Sequence, residues 1–191
     1  MTVLRFLPNA LCVLRMLLAF PIAWLLVNER YAETFIVLGF AALTDGLDGF
    51  LAKHFGWTSE LGKILDPLAD KILLVTVFIT LCVVGLVPLW VAAIAVFRDV
   101  VISFGAIVYR VLYGPIDGNP TRMSKFNTLC QIIYVLSIVA HTSSGIVSDR
   151  ALHILAILVV LTSTVSGAEY VKTYSERAFR RTAVPPSSRP D

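Results

Sequence analysis

Apolar stretches separated by short polar connections run along almost the whole chain. Six of them are long enough to cross a bilayer, because about 20 apolar residues span its hydrocarbon core, and they cover 11–27, 32–52, 64–86, 89–113, 127–147 and 151–170. Residues 1–10, MTVLRFLPNA, are typical of a segment at the membrane interface. The pattern predicts an all-α integral membrane protein with six transmembrane helices and a short N-terminal interfacial segment. Arg15 and Pro21 predict a tilt or kink in the first helix.

The composition agrees with a membrane protein. The 191 residues are 57% hydrophobic and their mean hydropathy is +0.80, which is too apolar for a soluble domain. Cys12, Cys82 and Cys130 lie in or beside apolar stretches without metal-ligand spacing, so we expect them to be packing residues. We expect three segments: the interfacial residues 1–10, a six-helix domain over 11–171, and a basic, disordered tail over 172–191.

Lysine and arginine residues are distributed unequally between the two ends of the predicted helices. One end has only Arg30 and Arg150, whereas the end that carries both termini has Arg5, Lys53, Lys63, Lys71, Arg110, Arg122, Lys125, Lys172, Arg177, Arg180, Arg181 and Arg189. This bias predicts that both termini face the cytoplasm. The net charge of +3 is explained by topology, so no nucleic-acid partner is expected. An N-terminus that enters the membrane without a transit peptide favours a bacterial inner membrane.

Four carboxylates interrupt the apolar sequence in one stretch, DGLDGFLAKHFGWTSELGKILDPLAD, which runs from Asp45 to Asp70. Asp45 and Asp48 are spaced i,i+3, and Asp66 and Asp70 are spaced i,i+4, so each pair lies on one face of its helix. An aspartate at bilayer depth is costly unless a counter-charge compensates it. Carboxylate pairs on two connected helices can hold Mg²⁺ or Mn²⁺ by oxygen ligands alone. The alternative is that these are solvated loop acids.

Small residues surround the carboxylates at helical spacing. Gly49, Ala52 and Gly62 complete the pattern D-x-x-D-G-x-x-A-K, eight residues, then G-x-x-x-D-x-x-x-D. This pattern resembles the signature of the CDP-alcohol phosphotransferases, integral membrane enzymes that move a phosphatidyl or similar group from a CDP-linked donor to an alcohol. Lys53 stands where the family usually has arginine, which keeps the charge but loses the planar fork for bidentate phosphate binding.

The resemblance implies roles for the motif residues. Asp45, Asp48 and Asp66 would be metal ligands, and Asp70 would be the base while also lying near the metal. The nucleotide and diphosphate contacts would come from Gly49, Ala52, Lys53 and Gly62. It further implies Mg²⁺ or Mn²⁺ at two sites, a cytoplasmic active site and a homodimer.

Polar residues outside the motif bear on the acceptor alcohol. Arg98 and Asp99 lie inside the fourth apolar stretch, where charge is usually functional. Adjacent residues of a helix do not face each other, so we expect different partners for the two, with an ion pair that fixes helix packing as the alternative. Cationic and polar residues at the start of the fifth helix are suited to binding a phosphate group. The acceptor-binding candidates are Arg98, Arg122, Ser124, Lys125 and Asn127.

The acceptor candidates separate two branches of the resembled family. Phosphatidylglycerophosphate synthases, which use glycerol 3-phosphate, typically carry two further cationic residues where this chain has Ala106 and Asn127. The runs at Ser124–Gln131, Arg98–Val100 and Asp66–Lys71 instead resemble cardiolipin synthases, which use phosphatidylglycerol. An acceptor site with fewer cationic residues suits phosphatidylglycerol, because its phosphodiester carries one negative charge and the phosphate of glycerol 3-phosphate carries two. We expect cardiolipin and CMP to form from CDP-diacylglycerol and phosphatidylglycerol. The alternatives are a phosphatidylglycerophosphate synthase and, as a non-enzyme, a small membrane carrier.

Overall fold

The computed structural model describes the backbone of residues 7–55, 62–113 and 121–182 and the side chains of residues 10–44, 69–105 and 121–173. The described chain is helical, and its helices are α1 (Leu7–Val27), α2 (Tyr31–Phe55), α3 (Gly62–Val83), α4 (Leu89–Tyr113), α5 (Arg122–Ser144) and α6 (Asp149–Thr182).

Each predicted transmembrane stretch corresponds to one of these helices, so the all-α architecture is confirmed. Three described segments are long and apolar enough to cross a membrane, namely Ala10–Val27, Arg122–Ser144 and Asp149–Thr173. Tyr31–Thr44 is apolar but shorter. Helices α3 and α4 carry charged residues inside their apolar sequence. That all six helices span the membrane therefore stays a prediction.

The first and last helices extend into the predicted interfacial segment and the predicted C-terminal tail. Helix α1 already begins at Leu7, within the predicted interfacial segment, and residues 1–6 lie outside the described residues. Helix α6 continues to Thr182, within the segment 172–191 for which a disordered tail was expected. The sequence VKTYSERAFRRT contains no glycine or proline, which explains why the helix continues. Residues 183–191 lie outside the described residues.

Short turns join the helices at one end of the bundle. Residues 28–30, 84–88 and 145–148 connect α1 to α2, α3 to α4 and α5 to α6. Gly145 ends α5 with a φ of 67°, a left-handed conformation that glycine adopts without strain, and its N–H donates to the His141 carbonyl at 2.8 Å. Consecutive helices joined in this way run antiparallel. The amino end of α3 and the amino end of α5 are therefore at the same, opposite end of the bundle.

Helix packing buries several polar side chains and leaves many large apolar side chains exposed. Helix α1 packs against α2 and α3, α5 packs against α2 and α6, and α4 packs against α6 and α3. The exposed large side chains include Phe20, Ile36, Phe97 and Phe104. The buried polar side chains include Arg15, Arg98, Asp99, Asn127, Gln131, Thr162, Ser163 and Ser166. The core is mostly apolar and includes Ile22, Leu26 and Val77. Polar groups buried in such a core must pair within the protein, as in a protein that lies in lipid.

Candidate active site

Helices α2 and α3 carry the aspartate motif, defined as Asp45, Asp48, Asp66 and Asp70. The first two lie in the carboxyl-terminal half of α2, and the last two lie in the first turns of α3. The predicted helical placement of both pairs is therefore confirmed for the backbone. The side chains of Asp45, Asp48, Ala52, Lys53 and Asp66, together with positions Gly49 and Gly62, lie outside the described side chains. Their assignment to metal and nucleotide stays a prediction.

Asp70 is the motif carboxylate whose side chain the structure describes, and it forms an ion pair with Arg15. The guanidinium Nη1 of Arg15 donates to Oδ1 of Asp70. Arg15 is 1% exposed and Asp70 is 34% exposed. The pair joins α1 to α3, and Arg15 supplies a counter-charge for a carboxylate that lies beside largely aliphatic side chains. Arg15 was not among the predicted site residues, although an arginine inside an apolar stretch was a signal for a buried partner.

A cavity of about 60 Å³ lies beside this ion pair, between α1, α2, α3 and α5. Its polar lining comes from Arg15, Asp70 and Thr128, and its remaining lining is aliphatic, from Leu38, Ala41, Ala42, Leu73, Leu74, Val77, Ile132, Val135 and Leu136. The Asp70 carboxylate is thus at the polar end of an apolar interior. A charge in such surroundings interacts strongly with whatever charged group is brought near it.

A second polar site, the Arg98 cluster, consists of Arg98, Asp99, Ser124, Gln131 and Ser166. Arg98 Nη1 donates to Asp99 Oδ1 at 2.5 Å, and Arg98 Nη2 donates to Ser124 Oγ at 2.7 Å and to Ser166 Oγ at 2.6 Å. Gln131 Nε2 donates to Asp99 Oδ2 at 3.5 Å. The cluster therefore links α4, α5 and α6.

The expectation that Arg98 and Asp99 have different partners was wrong, because they pair with each other. The rule that adjacent helical residues diverge applies to the Cα–Cβ directions. The long, flexible stem of arginine lets its guanidinium reach back to the neighbouring carboxylate. Both side chains are buried, at 5% and 7% exposure, so the pair neutralises two charges where neither is solvated.

Three side-chain atoms of this region have no hydrogen-bond partner among the described residues: Arg98 Nε, Asn127 Nδ2 and Gln131 Oε1. Asn127 is fully buried, and its Oδ1 accepts from Thr162 at 2.8 Å and from Ser163 at 2.9 Å. Leaving buried polar atoms unpaired is unfavourable by about 1–3 kcal/mol each. Such atoms are enriched at places where a ligand or water completes the bonding.

The predicted acceptor residues are only partly brought together. Arg98 and Ser124 are in direct contact, and Asn127 lies one turn further along α5, turned toward α6. Arg122 and Lys125 are exposed in the first turn of α5. That turn is held by Thr121, whose side-chain oxygen accepts from the Ser124 N–H at 3.2 Å.

Lys71 is a further polar residue that the sequence did not mark as part of a site. Its Nζ donates to Ser103 Oγ at 2.6 Å, and Ser103 Oγ donates to the Asp99 carbonyl at 2.6 Å. Lys71 directly follows Asp70 on α3. A chain of hydrogen bonds thus connects the helix that carries the motif carboxylate to the Arg98 cluster.

Comparison with known proteins points to one protein family. The family model for CDP-alcohol phosphatidyltransferase matches residues 5–165. The probable cardiolipin synthase (CMP-forming) of Drosophila melanogaster is 34% identical over 141 residues, covering 65% of this chain and 44% of that protein. The cardiolipin synthase (CMP-forming) of Homo sapiens is 31% identical over 179 residues, covering 85% of this chain and 60% of that protein.

A relative that is named for glycerol 3-phosphate as its acceptor is nearly as similar to this chain. The chloroplastic CDP-diacylglycerol–glycerol-3-phosphate 3-phosphatidyltransferase 1 of Oryza sativa subsp. japonica is 30% identical over 193 residues, covering 92% of this chain and 59% of that protein. The chain spans between 44% and 60% of the length of these three relatives. The match of the family model over most of the chain shows that the chain belongs to the CDP-alcohol phosphatidyltransferase family.

Proposed function

We propose that this chain transfers the phosphatidyl group of CDP-diacylglycerol to phosphatidylglycerol, which forms cardiolipin and releases CMP. The observation that carries the proposal is the complete aspartate motif on α2 and α3, with Asp70 oriented by Arg15 toward the bundle interior. The active domain would be 11–171, with all six helices in the membrane. The site and both termini would face the cytoplasm of a bacterial inner membrane, and the enzyme would be a homodimer.

The donor set fits a divalent metal. Four carboxylates at i,i+3 and i,i+4 spacing on two connected helices provide oxygen ligands, which Mg²⁺ and Mn²⁺ prefer. Asp45, Asp48, Asp66 and Asp70 would hold one or two such ions. When bound, the metal would offset the negative charge of the diphosphate.

The protein residues would carry out the transfer by direct attack. The acceptor hydroxyl oxygen forms a bond to the phosphorus of the phosphatidyl group, the bond from that phosphorus to the CMP oxygen breaks, and the hydroxyl proton passes to Asp70. Arg15 holds the Asp70 carboxylate in a fixed orientation for this role. Gly49, Ala52, Lys53 and Gly62 would contact the nucleotide and the diphosphate.

The charge of the Arg98 cluster supports a singly charged acceptor. Arg98 is already paired with Asp99, and the positions Ala106 and Asn127 carry no charge. A dianionic phosphate would find little cationic compensation there, whereas one phosphodiester charge needs less. Arg98, Ser124 and Asn127, with Arg122 and Lys125 at the entrance, would bind the acceptor headgroup.

The second candidate is a phosphatidylglycerophosphate synthase that uses glycerol 3-phosphate. It is favoured by the similarity to the Oryza sativa relative over 92% of this chain. The exposed cations Arg122 and Lys125 on the first turn of α5 would then bind the phosphate dianion.

An acceptor competition tests the proposal. Purified protein in liposomes would receive CDP-diacylglycerol, Mg²⁺ or Mn²⁺, and either phosphatidylglycerol or glycerol 3-phosphate, while CMP release is followed. We expect turnover with phosphatidylglycerol and none with glycerol 3-phosphate, and none with either acceptor when a chelator removes the metal. Turnover with glycerol 3-phosphate alone would contradict the proposal. Liposomes without the protein provide the background rate.

A further inference from the structure

Gln131 is fully buried on α5, and its amide is held weakly. Its Nε2 donates to Asp99 Oδ2 at 3.5 Å, which is longer than the roughly 2.7–3.2 Å of an ordinary N–H···O hydrogen bond. Because a carboxylate only accepts, Asp99 fixes which end of the amide faces it and leaves Oε1 on the other side. Oε1 has no hydrogen-bond partner among the described residues. Gln131 therefore presents an unpaired acceptor inside the bundle.

Two unpaired donors lie in the same region as this acceptor. Arg98 Nε and Asn127 Nδ2 also lack a partner within the described part of the chain. Arg98 and Gln131 contact the two oxygens of one carboxylate, that of Asp99. Asn127 precedes Gln131 by one helical turn, so both side chains lie on one face of α5. The three unpaired atoms thus belong to one buried region, where α4, α5 and α6 meet.

The three atoms have the hydrogen-bonding pattern that complements a hydroxyl group. A hydroxyl has one O–H donor and two acceptor lone pairs. It can accept from Arg98 Nε and Asn127 Nδ2 while its own proton is donated to Gln131 Oε1. An ionised phosphodiester has acceptor oxygens only, so it cannot satisfy Gln131. The set therefore favours an alcohol group over a phosphate group.

We propose that Gln131 selects the acceptor by binding, together with Arg98 and Asn127, the headgroup hydroxyl that does not attack. Phosphatidylglycerol has two headgroup hydroxyls, and one of them is consumed in the transfer. The other remains a hydroxyl throughout, so its hydrogen bonds hold the headgroup in place while its neighbour reacts. The inference rests on the proposed function for the identity of the lipid. Glycerol 3-phosphate, the second candidate acceptor, carries the same pair of hydroxyl groups.

Two lipids that differ by this one hydroxyl test the assignment. Phosphatidyl-1,3-propanediol keeps a primary hydroxyl for the attack and lacks the hydroxyl on the middle carbon of the headgroup. In liposomes with CDP-diacylglycerol and Mg²⁺ or Mn²⁺, we expect the unmodified protein to use phosphatidylglycerol with a kcat/KM about 10–100-fold higher. The analogue leaves the three buried atoms unpaired, which is how a site that reads a hydroxyl rejects it. Equal values for the two lipids would overturn the inference in favour of a structural water at Gln131.

Gln131→Met separates recognition from folding. Methionine has a similar length and no amide, so we expect the preference for phosphatidylglycerol over its analogue to disappear. A purely structural role would lower kcat/KM for both lipids by the same factor and keep the preference, and that outcome would overturn the inference. Thr142→Val is the matched control, because it removes a 2.9 Å hydrogen bond to the Ile138 carbonyl near the other end of α5. It should leave the preference unchanged.

Thermal unfolding in detergent gives a readout that needs no turnover. We expect phosphatidylglycerol to raise the melting temperature of the unmodified protein more than its analogue does, and both lipids to act equally on Gln131→Met. Equal shifts in the unmodified protein would overturn the inference.

The same measurements distinguish this inference from the proposed function. Turnover of phosphatidylglycerol without any preference over its analogue would keep the proposed function and refute the role of Gln131. Turnover with glycerol 3-phosphate alone would refute the proposed function. The comparison of glycerol 3-phosphate with 3-hydroxypropyl phosphate, which lacks the same hydroxyl, would then decide the role of Gln131.

Discussion

The aspartate motif and the Arg98 cluster solve the same problem, charge inside an apolar bundle, in opposite ways. The motif concentrates carboxylates, and the described one, Asp70, is compensated by a single arginine on another helix. The cluster is built around a cation, Arg98, which is compensated by its neighbouring aspartate and by hydroxyl groups from α5 and α6. We expect the first arrangement to attract cations and the second to accept an anion of low charge.

Under the proposed function, this difference assigns the chemistry to the aspartate motif and the selection of the acceptor to the Arg98 cluster. Carboxylates that are clustered in the sequence suit a metal and a proton transfer, so we expect that changing them abolishes turnover. A cation that is already paired suits recognition, so changing it should alter substrate affinity and stability. The variants below test that division, from the largest expected effect to the smallest.

Asp70→Asn tests the chemical role of the motif. The amide keeps the size of the side chain but cannot accept a proton, and removing a general base slows a reaction by about 10²–10⁴-fold. We expect CMP release to fall by that factor with KM for both lipids little changed. Asp66→Asn, which would lose a metal ligand but not the base, is the comparison: raising the metal concentration should rescue it in part and should not rescue Asp70→Asn. Near-normal turnover of Asp70→Asn would refute its role as base.

Arg98→Met should mainly affect the acceptor. The substitution removes the cation and leaves Asp99 buried without its partner, so we also expect a lower melting temperature. Losing a hydrogen bond to a charged group corresponds to about a 10–100-fold rise in KM for phosphatidylglycerol. KM for CDP-diacylglycerol should stay constant. The double variant Arg98→Met/Asp99→Asn is the control, because it removes both charges and should recover stability without recovering affinity.

Arg15→Met tests whether the ion pair between Arg15 and Asp70 stabilises the fold. It leaves Asp70 without the arginine that pairs with it, and we expect a loss of about 1–3 kcal/mol in the free energy of unfolding, less than for a fully buried pair because Asp70 is 34% exposed. Adding Asp70→Asn should recover part of that stability, since the two residues are coupled. Thermal unfolding in detergent measures both variants. Strictly additive losses would show that the ion pair does not stabilise the fold.

The sequence predicted all six helices because their signal is local. Apolar runs of membrane length and the spacing of Asp45, Asp48, Asp66 and Asp70 are visible without any knowledge of packing. The partner of Asp70 was not predictable, since Arg15 is 55 positions away in the chain and only the packing of α1 against α3 brings them together. The same holds for Ser166, which reaches Arg98 across 68 positions.

The one incorrect prediction at the Arg98 cluster has a different cause. Backbone geometry separates Arg98 from Asp99, but the guanidinium is several bonds from the backbone, and its position depends on burial and on available acceptors. In an apolar interior the nearest carboxylate is favoured even when it belongs to the adjacent residue. Helix-face rules are therefore weaker for a long, flexible side chain such as that of arginine.

The smallest expected effect distinguishes the two hydroxyl groups that accept from Arg98. Ser166 is fully buried on α6, whereas Ser124 is half-buried in the first turn of α5, next to exposed Arg122 and Lys125. We expect Ser166→Ala to lower the free energy of unfolding by about 1 kcal/mol with unchanged kinetics. Ser124→Ala should instead raise KM for the acceptor a few-fold with little change in stability. If both variants changed only stability, the hydrogen bond from Arg98 to Ser124 would be structural, and this contact would have no part in acceptor recognition.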